Sequence, residues 1–133
     1  MRPREHVLKA ARLEATLERL DRSDDAEMIV EVCMLAATHL LNAALHVRGV
    51  THGHSDQSHT IRPPLSYFQK SPEADLKEAM APLASIEGLR PKYVRGGEVC
   101  GADIVEKCLL SFKDARARFM TIIGSAADPP AWE

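Results

Sequence analysis

Residues 105–122 read VEKCLLSFKDARARFMTI, and their spacing decides the fold. Val105, Cys108, Phe112, Ala115, Phe119 and Ile122 recur at steps of three, four, three, four and three. That spacing draws one apolar seam along a helix. A strand would need strict alternation, which this stretch lacks. A seam of this kind is stable only when other helices cover it, so the rest of the chain has to supply them.

It supplies three. From about Pro3 to Leu20, strong helix formers carry a stripe of Ala10, Leu13, Leu17 and Leu20, and Glu5 and Lys9 stand one turn apart on the exposed side. Asp21-Arg22-Ser23-Asp24 breaks that pattern. A second helix follows, with Asp24 as N-cap and Glu27 in capping-box spacing, and it runs to Val47 or Arg48 before Gly49. It is apolar nearly all round, as a central bundle helix is. Its polar residues Glu27, Glu31, Thr38, Asn42 and His46 fall in one stripe with His39 at the edge. A third helix begins at Ser71-Pro72-Glu73, buries Leu76, Ala79, Leu83 and Ile86, is kinked or divided at Pro82, and ends by Gly88 and Pro91. The basic stretch 89–97 connects it to the fourth helix, which starts at Glu98 or Ala102 and stops at Ile123, capped by Gly124.

The expected fold is therefore all-α: a four-helix bundle with one long loop between helices 2 and 3. The bundle domain spans 1–124, with a histidine-rich loop at 49–70, and 125–133 form a tail. Composition agrees. Apolar residues make up 45% of 133, aromatics only 5%, and β-branched residues are few, which suits one helical core. The formal net charge of −2 gives no overall pull towards nucleic acid or an anionic membrane. The basic N-terminal segment is amphipathic and has no apolar run of the secretory kind, and the second helix is too interrupted by polar groups for an ordinary membrane span. Cys33, Cys100 and Cys108 read as reduced, inert thiols, with Cys100 the one that a helix N-terminus could activate. These readings give a cytoplasmic chain without membrane contact.

Histidine marks the region of interest. Five of the six fall between His39 and His59. His39, His46, His52 and His54 are candidate ligands for a divalent metal, since imidazole suits zinc, nickel and iron. No zinc-site spacing is present, and the plainer reading is a wet polar loop beside a solvated helix face. Asn42, His46 and His59 are the candidate ligand-binding residues. Asn42 and His46 would line a cleft, whereas Glu27 and Glu31 would face water. The connection is too long for a passive linker, and Ile61, Leu65, Tyr67 and Phe68 would pack its second half on the bundle. It is thus expected to order against the second helix, with His46 and one of His52, His54 or His59 in one polar cleft. Arg90, Lys92, Arg95, Lys107, Lys113, Arg116 and Arg118 make the later chain locally basic, a solvated face or a phosphate-contacting patch.

Three stretches together resemble the HEPN superfamily: His39-Leu40-Leu41-Asn42-Ala43-Ala44-Leu45-His46 followed by Gly49-Val50-Thr51, then His59-Thr60, then an amphipathic last helix after Arg90 to Arg95. The resemblance implies a small helical bundle, often dimeric, whose relatives include RNA-cleaving proteins and partners of minimal nucleotidyltransferases. Ribonuclease members carry an arginine followed after four to six residues by histidine. Arg48 and His54 have that spacing, but earlier in the chain than is usual, and no histidine follows Arg95. The expectation is a non-catalytic, HEPN-like homodimer that binds a nucleotide, a nucleic acid or a protein partner and needs no cofactor. The alternatives are a ribonuclease using Arg48 and His54, and a metal-binding bundle using the His39–His59 cluster.

Overall fold

The computed structural model describes residues 1–51 and 74–125. Four long helices and one short one account for most of them: α1 (Pro3–Arg19), α2 (Ala26–Val47), α3 (Ala74–Glu87), α4 (Arg90–Tyr93) and α5 (Ala102–Ser125). There is no strand among the described residues, and the chain is an all-α four-helix bundle. The Ser71-Pro72-Glu73 start signal, the packing of Ile61, Leu65, Tyr67 and Phe68, and the tail beyond 125 lie outside the described residues.

α2 is the centre. α1 packs on it over a long interface, α5 packs on both α2 and α3, and α3 and α4 touch it from other sides. This surrounding explains its composition: a helix covered on nearly every side can carry Ile29, Val30, Val32, Cys33, Met34, Leu40, Leu41 and Leu45 at full burial. Each large side chain so buried stabilises the fold by about 1.5–3 kcal/mol relative to exposure. α2 is long and apolar enough to cross a membrane by length and composition, but 78% of its most apolar window is packed inside the bundle. The α5 seam is buried at all six positions named from its spacing, and the α3 stripe at all four.

Several local expectations are corrected. α2 starts at Ala26 with Asp25 in the cap position, not Asp24. The Asp21 carboxylate instead accepts the backbone N–H groups of Ser23 and Asp24, both at 2.8 Å, which folds the turn and holds its carboxyl below the usual range. Glu5 pairs with Arg2, whose Nε donates to Glu5 Oε1 at 3.0 Å, and not with Lys9. Pro82 does not divide α3, which is continuous around it. Pro91 stops nothing: it sits in the first turn of α4, where its missing N–H costs no hydrogen bond. Gly96 lies against that turn, and a Cβ there would meet the Pro91 and Lys92 carbonyl oxygens at 2.7 Å. Only glycine lets the chain fold back so tightly over α4. α5 runs through Gly124 and is not capped by it.

Thr38 and Asn42 do not face water. Both are buried, and each donates to a carbonyl of its own helix: Thr38 Oγ1 to that of Met34 at 2.8 Å, and Asn42 Nδ2 to that of Thr38 at 3.1 Å. Glu27 is exposed as expected, but Glu31 is half-buried against Arg90.

Candidate functional site

The C-terminus of α2 shapes the site. Gly49 has φ 72°, a conformation that glycine adopts without strain. Its N–H donates to the His46 carbonyl at 3.0 Å, and the Val50 N–H donates back to the Leu45 carbonyl at 2.9 Å. These are the two bonds of a Schellman turn, with Val50 packing on the core as that motif requires. The turn reverses the chain over the last turn of α2. Thr51 therefore comes back beside His46, its Oγ1 2.6 Å from His46 Nδ1.

A third histidine completes the group. His6 lies one turn before Ala10 on the α1 stripe and is only 1% exposed. Its Nδ1 is 2.8 Å from His39 Nδ1, so one ring donates and the other accepts. Its ring centre is 5.1 Å from that of His39 and 5.5 Å from that of His46. His39 and His46 are seven residues apart, about 10.5 Å along a helix axis. The His6 ring therefore fills the interval between them. Sequence reasoning missed His6 because it stands alone, far from the histidine-rich stretch. The signal that could have found it was its place in the Ala10, Leu13, Leu17 and Leu20 register, which turns it towards α2.

Among the predicted site residues, the structure brings together His39 and His46, with Asn42 buried between them on α2. His52, His54 and His59 lie outside the described residues, and so does any cleft they share with His46. Among the described residues, no three His, Cys, Asp or Glu side chains are arranged to hold a metal ion as they stand. His6 and His39 hold each other, and His46, two turns along α2 from His39, is turned to Thr51.

Arg48 is engaged elsewhere. Its Nη1 donates to Asp75 Oδ1 at 3.1 Å and its Nη2 to Asp75 Oδ2 at 2.5 Å, a two-pronged pair joining the end of α2 to the start of α3. The guanidinium, helped by the Leu76 N–H, holds the Asp75 carboxyl below the usual carboxylate range. The sign of the consequence follows. A carboxyl with a depressed folded pKa adds stability above its unfolded pKa, and that stability is lost as pH falls through the folded value. The side chain of Asp75 is 45% exposed, so the effect is small. Arg48→Ala should raise the Asp75 titration towards the ordinary carboxylate range and remove this part of the acid sensitivity, which carboxyl NMR can follow. An unchanged Asp75 titration in that variant would show that the pair does not form in solution.

No family model matches the chain, and no curated protein or solved structure is significantly similar to it. The site therefore has to be read from its own chemistry.

The other candidates resolve differently. Three of the seven basic residues in the later chain are held in ion pairs: Arg90 pairs with Glu31, Arg116 with Glu14, and Arg118 with Asp114 and Glu78. The Cys33 and Cys108 thiols are both fully buried, and the Cys108 contact together with burial pushes Cys33 up. Cys100 is also pushed up, by burial first and by its negative neighbours next, so the helix start does not activate it. A groove of about 530 Å³ lies at the other end of α2, between residues 23–28 and 96–100, and contains none of the predicted site residues.

Proposed function

We propose that the chain is a non-catalytic, HEPN-like binding bundle whose ligand is received where α1 and α2 close over His6, His39 and His46. The observation that carries this reading is the burial of His6 against two other imidazoles. An apolar side chain in that register would pack without needing a polar partner. Three imidazoles from two helices form a polar group that packing alone does not require. The non-catalytic part is supported by Arg48, whose fork is matched to Asp75 and would have to leave it to steady a phosphate.

A homodimer is part of the proposal. On the otherwise covered α2, Met28 is 53% exposed and Leu35 40% exposed, about three turns and one turn before His39 on the same side. A second copy is the simplest cover for apolar surface on a central helix.

Amide NMR on the full chain tests both parts. Titration with nucleotides, single-stranded RNA and divalent metals should move resonances of residues 3–10, 38–42 and 45–51 first, and the RNA should stay intact. Light scattering on the same samples should give twice the chain mass. Perturbations confined to other surfaces, or RNA cleavage lost in Arg48→Ala, would overturn the binding reading. A monomer mass at high concentration would remove the dimer.

A further inference from the structure

We infer that the His6–His39 contact is an acid-sensitive latch that holds α1 on α2 and lets go when both imidazoles are charged. The latch needs no ligand, so it stands or falls apart from the binding reading above.

The two Nδ1 atoms face each other at 2.8 Å, and a gap of that length holds one proton. In a neutral pair, one ring places its N–H there and the other its lone pair. A single positive charge is compatible with the same contact, since an imidazolium N–H donates more strongly to a neutral ring nitrogen. Two charges are not. Each imidazolium carries its own Nδ1–H, and two N–H groups cannot share the gap. This count uses only the two nitrogens that face each other, so it holds whatever the other ring nitrogens meet.

Burial decides which helix yields. His6 is 1% exposed, so a charge on its ring reaches water only if α1 moves. His39 is half-buried on α2 and can be hydrated where it stands. α1 rests chiefly on α2, whereas α2 is also held by α3 and α5. Loss of the contact therefore frees α1 before the rest of the bundle. His46 adds to the effect, because its ring centre is 5.5 Å from that of His6 and a proton on both brings like charges together. The adjoining elements also bring ion pairs: Arg2 with Glu5 at the head of α1, Glu14 of α1 with Arg116 of α5, and Arg48 with Asp75 where α2 meets α3. Arg2 and Arg48 hold the Glu5 and Asp75 carboxyls below the usual range, so these two stay ionised while imidazole titrates.

The sign follows from counting protons. Imidazoles in an open chain both charge near about pH 6.5. With α1 seated, the pair carries at most one positive charge. Below that pH the open form binds up to one proton more, so opening gains up to about tenfold for each further unit of acid.

Hydrogen exchange followed by NMR on the full chain, from about pH 8 to about pH 5, tests this. Protection of the α1 amides should fall, relative to those of α5, by up to about tenfold per pH unit below about pH 6. Ring-nitrogen shifts should show His6 and His39 both charged only in the opened form. His6→Gln and His39→Gln each leave one ring and a side chain able to accept its N–H, so each should flatten the dependence. His39 is half-buried, so His39→Gln should fold even where His6→Gln does not. A variant with His52→Gln, His54→Gln and His59→Gln together should keep the dependence of the parent. Constant α1 protection in the parent, both rings charged with α1 still seated, or a full dependence in folded His39→Gln overturns the latch. A dependence lost solely in the triple variant places the titrating groups elsewhere and overturns it as well.

Discussion

Phe119→Ala should lower the unfolding free energy by about 3–5 kcal/mol, the largest loss expected from any single truncation in this chain. Among the described residues Phe119 is the largest fully buried side chain, and it sits in the α5 seam. α5 packs on both α2 and α3, so the void would open in the seam that ties it to the bundle. Helices tied to one another cannot collapse onto such a gap, and the cavity term adds to the lost transfer energy. Domains of this size are stable by about 5–15 kcal/mol, so the variant stands to lose a third or more of its stability. Leu110, on the same helix, is 58% exposed, and Leu110→Ala should stay within about 0.5 kcal/mol. Urea unfolding followed by circular dichroism measures both. A loss below about 1 kcal/mol for Phe119→Ala would mean that α5 is not seated as described.

The contrast between those two residues shows why the fold was readable. Leu110 and Phe119 are both apolar, but only Phe119 falls in the three-four register. A helix period records which side is covered, and it does so wherever one side stays wet. That held for α5 and for the buried stripe of α3. It failed on α2, where covering on several sides removes the contrast. There the polar stripe was read as a solvated face or the wall of a cleft, but Thr38 and Asn42 are buried and bonded to their own backbone. Polarity alone cannot distinguish a solvated hydroxyl from one folded back on its helix. α4 was unreadable for another reason: four residues are too few to show a period, and Pro91 signals a helix stop as readily as a start.

The site was half legible. His39 and His46 were found because two turns of one helix put them on one side, a purely local fact. His6 comes from 33 residues away, through the packing of α1 on α2, and nothing near it in sequence announces that contact. Arg48 shows the same limit in reverse. Its spacing to His54 fitted a catalytic motif, whereas its side chain is matched to an aspartate 27 residues on. Spacing along a chain constrains one element at a time, and both of these contacts join two.

Glu31→Ala should cost more stability than Arg90→Ala, and a Glu31→Leu, Arg90→Met double variant should recover much of either loss. The pair joins α2 to α4, with the Arg90 Nη2 3.3 Å from Glu31 Oε2 and a second, shorter contact from Nε to Oε1. The arginine side chain is 11% exposed and the glutamate side chain 29%. Removing Glu31 therefore strands a guanidinium that water barely reaches, while removing Arg90 leaves a carboxylate that can still be hydrated. Breaking a fully buried pair costs about 3–5 kcal/mol, and partial access lowers that here to about 2–3 for Glu31→Ala and about 1–2 for Arg90→Ala. Replacing both charges with apolar groups removes the uncompensated ion and keeps the volume, which is close to neutral in comparable sites. The order of the two single variants is the informative result. Equal losses in urea unfolding would mean that water reaches both groups alike. A double variant as unstable as the worse single one would mean that the pair's hydrogen bonds, and not the stranded charge, hold α4 against the bundle.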